Sequence, residues 1–284
     1  MMMTPPGQPP ADPAPRAAYT IGRHGFGAAK ATPGLHLVAT PIGNLGDITL
    51  RALETLAGAD MIACEDTRVT RKLLDRYGIQ TRLVPYHEHN AAQMRPRLLS
   101  DLAQGMAIAL VSDAGTPLIS DPGYKLVRDA VAQGAQVVTL PGASSVLAAL
   151  TLAGLPTDRF FFEGFLPAKA GARQTRLAEL ANIPATLILF EAGSRIVASL
   201  ADLADAFGAR EAAICRELTK MHEEVRRGAL NNLARASDIE TRGEFVIVIA
   251  PPDAQEKPRP MEATLALLRR PMGYTPFPYA TAFR

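Results

Sequence analysis

The 284-residue chain has no tryptophan, only two cysteines and no long apolar run. Cys64 and Cys215 both lie in apolar, strand-like stretches. This argues against a disulfide framework and for a reducing compartment, so we expect a cytoplasmic protein. The most apolar stretch, residues 146–155, contains Thr151 and Gly154 and is shorter than the roughly 18 residues of a membrane span. We therefore expect no membrane association.

A strong net charge is also absent. Lys and Arg number 30 and Asp and Glu number 28, which leaves a formal charge of +2. No overall field therefore points to a nucleic-acid or membrane partner, and any such contact has to come from a local patch. With 48% hydrophobic and 20% charged residues the composition is that of a folded protein, and the length suggests about two domains.

The signatures of several common sites are missing as well. No G-x-G-x-x-G motif follows a strand and no G-x-x-x-x-G-K-[ST] motif occurs, which disfavours dinucleotide and P-loop chemistry. Gly25-Phe26-Gly27 lacks a third glycine. His87-Glu88-His89 has no supporting group of cysteines or histidines, so a loop or capping role is favoured and we expect no metal.

The chain divides into two α/β segments with irregular ends. Residues 1–33, rich in proline and alanine, predict a disordered tail. We expect an N-terminal α/β domain over residues 34–156 and a C-terminal α/β domain over residues 157–252. An irregular tail, residues 253–284, follows, with one short helical piece over Met261–Arg270.

Short apolar runs alternate with amphipathic stretches in both segments. In the first, runs that are apolar on both faces are typical of parallel strands covered by helices, and the alternation predicts right-handed crossovers. The strands predicted there are Leu35–Thr40, Met61–Cys64, Ala107–Val111 and Val137–Leu140, and the helices are Leu50–Ala57, Arg68–Tyr77, Ala91–Gln104 and Tyr124–Gln133. In the second segment the predicted strands are 160–162, 186–190, 212–215 and 245–250, with an edge strand or hairpin at 223–230 and a helix at 195–207.

Four strands of the first segment are followed by small, polar or Gly/Pro-rich loops. Ligands of open α/β sheets bind beyond the carboxyl ends of the strands. The alternative is ordinary turn and cap chemistry, with Thr49, Asp66 and Ser144 as helix caps. The loop that begins at Ser112 is about twice the usual length, which favours a binding site. The four loops are Thr40–Leu45, Glu65–Arg68, Ser112–Gly123 and Pro141–Ser145.

The motifs in these loops resemble those of a known family. They read VATPIGNLGDIT (38–49), EDTR (65–68), VSDAGTPLISDPG (111–123), LPGASS (140–145) and CRELTK (215–220). In this order they resemble the tetrapyrrole methylase superfamily, and the EDTR and SDAGTP versions resemble its ribosomal RNA branch. The resemblance covers residues 34–252.

The resemblance implies two α/β domains of the tetrapyrrole methylase type with a cofactor cleft between them. It implies S-adenosyl-L-methionine as methyl donor and the ribose 2′-oxygen of a cytidine in the decoding region of 16S ribosomal RNA as acceptor, within the 30S subunit. It also implies a homodimer. By motif position, the residues that bind the cofactor would be Pro41, Ile42, Gly115, Thr116, Pro117, Ile119, Gly142, Ala143, Phe190, Glu191, Cys215 and Arg216.

A ribose hydroxyl is a poor nucleophile, so a base has to help remove its proton. Glu65 and Asp66 follow a buried strand, where burial can raise a carboxyl pKa; the alternative for them is a helix cap with a salt bridge to Arg68. Lys220 would need a lowered pKa and is otherwise a phosphate contact or surface charge. His87 is a candidate because histidine is a common general base, although a lone loop histidine is more often structural. The sequence leaves all four open.

RNA contact is expected from local basic groups, whose alternative is a solvated helix face. Two other functions stay open: methylation of a tetrapyrrole-like small molecule, and RNA binding by an assembly factor without catalysis. The candidate groups are Arg68, Arg71, Lys72 and Arg76; Lys169, Arg173 and Arg176; and Arg226 with Arg227.

Overall fold

The computed structural model describes residues 17–252 and begins with a hairpin where the sequence predicts a disordered tail. Strand β1 (Ala18–Ile21) pairs antiparallel with β2 (His24–Gly27). Tyr19 and Ile21 pack on a buried cluster formed by residues far along the chain. The prediction of disorder is therefore wrong for this stretch, because apolar side chains that are isolated in the sequence gain burial from distant partners.

The first half of the described chain forms a wholly parallel five-stranded sheet, as expected. Its strands are β3 (Gly34–Val38), β4 (Met61–Cys64), β5 (Leu83–Pro85), β6 (Ala107–Val111) and β7 (Val137–Leu140). The helices that follow them are α1 (Leu50–Gly58), α2 (Thr67–Arg76), α3 (Ala91–Ala103), α4 (Tyr124–Ala132) and α5 (Ser145–Ala153). The strand order is β5-β4-β6-β3-β7, and the short strand β5 is absent from the sequence-based prediction.

Both faces of this sheet are buried, which explains why its strands are apolar on both sides. One buried cluster lies under α1 and α2 and a second under α3 and α4. All five residues of β6, the central strand, are buried. The predicted caps are confirmed: the side chains of Thr49, Asp66 and Ser144 accept hydrogen bonds from the first turns of α1, α2 and α5.

The second half forms a mixed sheet in the order β11-β10-β12-β9-β8. Only β8 and β9 are parallel to each other, and the other neighbours are antiparallel. The strands are β8 (Phe160–Phe165), β9 (Thr186–Ala192), β10 (Glu211–Arg216), β11 (Glu224–Ala229) and β12 (Glu244–Ile249). The helices are α6 (Ala170–Leu180), α7 (Ile196–Phe207) and α8 (Leu230–Arg235). Strand β11 pairs with β10 alone and is the predicted edge strand.

Helix α5 joins the two sheets. It follows the first sheet in sequence, yet its apolar side, including Val146 and Ala149, packs on β10 and β12 of the second sheet. Ile42, from the loop after β3, belongs to the same buried cluster. The two sheets therefore share a core and lie in one compact unit. The helix predicted over Met261–Arg270 lies outside the described residues.

No helix in residues 17–252 has the length and apolar character needed to cross a bilayer.

Candidate active site

The loops after β3, β6 and β7 are hydrogen-bonded to one another. Thr40 and Gly115 exchange two backbone hydrogen bonds, of 2.9 and 3.0 Å between nitrogen and oxygen. The Thr116 hydroxyl donates to the carbonyl of Ala143 at 3.2 Å. Three strand-end loops that are remote in sequence therefore form one surface, as the positions of their motifs predict.

The loop after β4 joins them through an acidic side chain. The backbone N–H of Asp66 donates to Asp113 Oδ1 at 3.0 Å. The residues involved follow β4 and β6, which are neighbours in the sheet. All four predicted loops thus converge at one edge, which favours a binding site over four independent turns.

Backbone strain marks the same region. Within residues 17–252, four residues other than glycine have a positive φ: Leu118, Ser120, Glu217 and Thr219, with φ between 49° and 74°. The first two lie in the loop after β6 and the other two in the loop after β10. Residues in this conformation cost about 1–3 kcal/mol each and cluster at functional sites. The two strained loops face each other across one cavity.

This cavity has a volume of about 400 Å³ and lies between the two sheets, a size in the usual range for small-molecule sites. One side is formed by the loops after β3, β6 and β7, and the other by the ends of β8, β9 and β12 and the loop after β10. The lining residues are mainly apolar and include four acidic residues and one lysine. The carboxylate of one of the four, Glu191, points to α7, where it accepts a hydrogen bond from Ser199. The lining residues are Ile42, Asp113, Ala114, Ile119, Ser120, Asp121, Ser144, Ser145, Val146, Phe165, Phe190, Glu191, Ala192, Leu218, Lys220, Gly243, Glu244, Phe245 and Val246.

The structure places four of the twelve predicted cofactor residues in the cavity wall: Ile42, Ile119, Phe190 and Glu191. Five others, Gly115, Thr116, Ala143, Gly142 and Pro117, belong to the loops that support it. Pro41 is buried beside Ile42.

The two predicted residues of β10 point away from one another. Cys215 is fully buried in the cluster shared by the two sheets, and burial raises the pKa of its thiol to about 11. The Arg216 side chain donates to the carbonyl of Arg242 at 2.8 Å and lines a separate small cavity beside Glu224. The structure therefore does not bring the Arg216 side chain to the central cavity, because alternate residues of a strand face opposite sides.

Two acidic residues of the wall, Asp113 and Asp121, are not among the site residues predicted from the sequence, although both belong to the long Gly/Pro-rich loop after β6. Burial raises the pKa of Asp121 to about 6; the negative charge of Glu65 adds to this, and a hydrogen bond with Ser112 opposes it. Burial likewise raises the pKa of Asp113, while the N–H of Asp66 opposes it. Buried carboxylates with raised pKa values in a cleft are a feature of functional sites.

Asp66 and Lys220, two of the four candidate bases, are occupied by ion pairs. Hydrogen bonds from Arg68 hold the pKa of Asp66 at about 2, and Arg68 Nη2 lies 2.6 Å from its carboxylate. Lys220 Nζ lies 2.9 Å from both Glu217 Oε1 and Glu244 Oε2. Burial alone would lower the pKa of Lys220, but the hydrogen bonds to the two carboxylates outweigh it and raise the pKa. The amine is therefore held in the protonated form. Neither group is suited to accept a proton.

Glu65 and His87 are the other two candidate bases. Glu65 is half-buried, and burial together with the charge of Asp113 raises its pKa, while His87 opposes the rise. His87 Nδ1 is buried without a hydrogen-bond partner among the described residues. The two side chains lie close enough for electrostatic coupling, beside the acidic end of the cavity. Among residues 17–252, no cluster of three or more His, Cys, Asp or Glu side chains could hold a metal ion.

The basic groups predicted to contact RNA differ in their availability. Arg173 is buried and its Nε lies 2.6 Å from Asp202 Oδ2. Arg176 forms a bidentate ion pair with Glu163, with Nε 2.6 Å from Oε1 and Nη2 2.7 Å from Oε2. Both side chains are therefore used within the fold, and Arg173, which is buried, is not accessible for the predicted RNA contact.

The other predicted basic side chains differ in whether they are already bonded within the fold. Arg226 is bonded to Glu224 and Asp238, and Arg227 to the carbonyl of Leu152. On α2, by contrast, Lys72 and Arg76 are exposed and form no ion pair with any residue in 17–252. Helix α2 begins near the acidic end of the cavity, since Asp66, its N-cap, is hydrogen-bonded to Asp113.

The wall fits S-adenosylmethionine, the donor that the sequence resemblance implies. The ligand combines a flat apolar base with a sulfonium and an ammonium group. Ile42, Ile119 and Phe190 offer apolar surface for the base, while Asp113 and Asp121 offer negative charge for the cationic part. A bound cation would stabilise the ionised carboxylates and so lower their raised pKa values.

Comparison with known proteins gives the same family. The model of the tetrapyrrole (corrin/porphyrin) methylases matches residues 34–234. A ribosomal RNA small subunit methyltransferase I from Mesorhizobium japonicum is 53% identical over 257 residues, covering 89% of this chain and 87% of that protein. A protein of the same name from Escherichia coli O157:H7 is 46% identical over 241 residues, covering 83% and 84%.

Solved structures support the fold. A cobalt-precorrin-4 methyltransferase of cobalamin biosynthesis aligns with a TM-score of 0.54 at 18% identity, over 76% of this chain and 94% of that one. A diphthine synthase aligns with a TM-score of 0.58 at 19% identity, over 76% and 89%. These proteins share the two-sheet architecture with the described chain.

Proposed function

The chain belongs to the tetrapyrrole (corrin/porphyrin) methylases, which use S-adenosylmethionine as methyl donor, and we propose that it methylates the ribose 2′-oxygen of a cytidine in the decoding region of 16S ribosomal RNA. Relatives named as ribosomal RNA small subunit methyltransferases, at 46–53% identity over most of the chain, support RNA as the acceptor. The observation that carries the proposal is the convergence of four strand-end loops at one edge of the first sheet, three of which line a mainly apolar cavity that contains acidic residues.

The residues of the wall have distinct tasks in this proposal. Ile42, Ile119 and Phe190 hold the adenine, and Asp113 and Asp121 hold the positive charge. S-adenosylmethionine, when bound, supplies an electrophilic methyl group on a sulfonium. Because the wall is largely apolar, it also excludes water, which would compete with the acceptor hydroxyl.

Glu65 is the proposed general base, since Asp66 and Lys220 are held in ion pairs. Its carboxylate would accept the proton of the ribose 2′-hydroxyl as that oxygen bonds to the methyl carbon and the bond from this carbon to the donor sulfur breaks, which leaves a neutral thioether. Burial raises its pKa toward neutrality, which improves the match between base and operating pH. His87 lies close enough to oppose this rise in the pKa of Glu65.

Transfer of labelled methyl from S-adenosylmethionine to 30S subunits tests the function. We expect incorporation into 16S RNA, mapped to one cytidine by resistance of its ribose to alkaline cleavage. Methylation of a corrinoid precursor instead would replace RNA with a small-molecule acceptor. Saturable RNA binding without any methyl transfer would indicate an assembly factor. Sedimentation of the free protein tests the homodimer that the resemblance implies.

Gly115→Val is expected to weaken S-adenosylmethionine binding at least tenfold. Gly115 has φ +79°, and an added Cβ would lie 3.2 Å from Ile42 Cγ2. A branched side chain therefore strains the backbone and displaces Ile42 from the cavity wall. Titration calorimetry measures the affinity. Gly105→Val is the matched control, because Gly105 has φ +80° with nothing within 4 Å; it should lose stability but keep its affinity, and equal losses of affinity would contradict the assignment.

Lys72→Gln is expected to weaken binding to 30S subunits about three- to tenfold and to reduce the salt dependence of binding by about one counterion. Lys72 is exposed on α2 and unpaired within residues 17–252, and we propose that it contacts phosphate. Arg235→Gln, which removes an exposed charge from α8, serves as the control. If both variants bind with the same salt slope as the unaltered protein, α2 is not part of the RNA surface.

A further inference from the structure

Phe165 is an exposed aromatic residue at the mouth of the cavity. It is the last residue of β8, lines the cavity and is 55% exposed. Its ring lies edge-to-face on Phe190, with 5.5 Å between ring centroids and 63° between planes. Part of the ring is therefore anchored while much of its surface stays open. Packing of the described residues does not account for that open surface.

A bulge in β8 determines the direction of this side chain. Phe162 pairs with Ile188, but the next pair is Gly164 with Leu189, so Glu163 is the extra residue. Gly164 has φ +76°, a conformation suited to glycine. Such bulges re-aim side chains and are common beside active sites.

Without the extra residue Phe165 would face the other side of the sheet. It would then pair with Glu191, whose carboxylate accepts a hydrogen bond from Ser199 on α7. In the observed register Phe165 pairs instead with Phe190, which packs with the cluster on the cavity side. A one-residue shift reverses the face of every following side chain. The fold therefore uses an irregular strand to place an aromatic ring at the cavity.

Phe165 lies at the rim of the cavity, where it is more exposed than the residues assigned to the adenine. Gly164 lies against the loop after β6, since a Cβ there would be 3.1 Å from Ser120 Oγ. The apolar needs of the donor are met by Ile42 and Phe190, which are more buried. Phe165 lies at the rim, where a macromolecular acceptor has to enter. Unpaired bases stack on exposed aromatic rings in RNA-binding proteins.

We propose that Phe165 is the stacking surface for the acceptor nucleobase, an unpaired pyrimidine of the RNA whose ribose is methylated. This rests on the proposed RNA methyltransferase function. The ring holds the base out of helical stacking, so that its ribose hydroxyl faces the donor. Phe165 thereby contributes to acceptor binding and leaves donor binding unaffected.

Three substitutions at Phe165 test the proposal in the full-length protein. Phe165→Leu keeps an apolar side chain against Phe190 but removes the aromatic face, Phe165→Ala removes both, and Phe165→Tyr keeps the face. We expect kcat/KM for 30S subunits to fall about 5- to 150-fold in the leucine and alanine variants and to stay within about threefold in the tyrosine variant. The dissociation constant of S-adenosylmethionine, measured by calorimetry, should change less than twofold.

Phe160→Ala is the matched control. Phe160 opens the same strand, is 43% exposed and does not line the cavity, so it should retain its kcat/KM. The proposal is overturned if Phe165→Leu behaves like this control, or if donor affinity falls as far as kcat/KM. If the unaltered protein transfers no methyl to 30S subunits, the proposed function and this inference are both overturned. If the unaltered protein is active but substitutions at Phe165 leave kcat/KM unchanged, the inference alone is overturned.

Discussion

Asp121→Asn is expected to weaken S-adenosylmethionine binding by about 30-fold or more. The carboxylate lies in the cavity wall next to Asp113, and asparagine preserves its shape while removing its charge. Loss of one member of a desolvated charge pair costs about 2–5 kcal/mol, and 1.4 kcal/mol corresponds to a factor of ten in affinity. Titration calorimetry at pH 7.5 measures the change. A variant with unaltered affinity would remove Asp121 from the cation site.

The pH dependence of donor binding should follow the same carboxylate. In the free protein the pKa of Asp121 is about 6 because the group is buried. Below that pH the carboxyl is neutral, so the affinity should fall by up to about tenfold per unit as the pH drops from 6. Asp121→Asn should lack this dependence between pH 5 and 7. The comparison separates the loss of charge from a general loss of structure.

Stability of the ligand-free protein provides an independent check on Asp121. Its folded pKa of about 6 lies above the value of about 3.9 in an unfolded chain. The neutral form therefore favours folding below about pH 4, and this contribution is lost as the pH rises through 6. Asp121→Asn should unfold at higher urea concentration than the unaltered protein at pH 7.5, and the difference should vanish near pH 4.

Glu65→Gln is expected to lower kcat for methyl transfer about 10²- to 10⁴-fold, the usual range for loss of a general base. Donor affinity should stay within about twofold, because Glu65 is not part of the cavity wall. Single-turnover transfer to 30S subunits measures the rate and calorimetry the affinity.

Glu88→Gln is a suitable control for Glu65→Gln, because Glu88 is an exposed carboxylate in the nearby loop after β5. It should leave the rate unaltered. If Glu65→Gln transfers methyl at the rate of the unaltered protein, Glu65 is not the base, and His87 becomes the remaining candidate.

The sequence predicts the elements that depend on local pattern. Strands β4, β6 and β7 have the predicted bounds, since each is a short apolar run with a turn on both sides. The caps at Thr49 and Ser144 follow from the same local chemistry. The convergence of the loops was also predictable, because the carboxyl ends of parallel strands meet at one edge.

Features that depend on distant partners could not be predicted in this way. Tyr19 becomes buried only against residues far along the chain. Arg173 resembles a surface charge until Asp202, on another helix, neutralises it. The exposed face of Phe165 depends on a bulge whose only sequence signal is Gly164. Asp121 is visible in the motif, but its raised pKa results from burial and from Glu65, which follows a different strand.

A crystal structure of the protein with S-adenosylmethionine tests the central claim most directly. We expect electron density for the donor in the cavity between the two sheets, in contact with Ile42, Phe190 and the carboxylate of Asp121. Density for the donor on another surface, or an empty cavity at a saturating concentration of the donor, would contradict it.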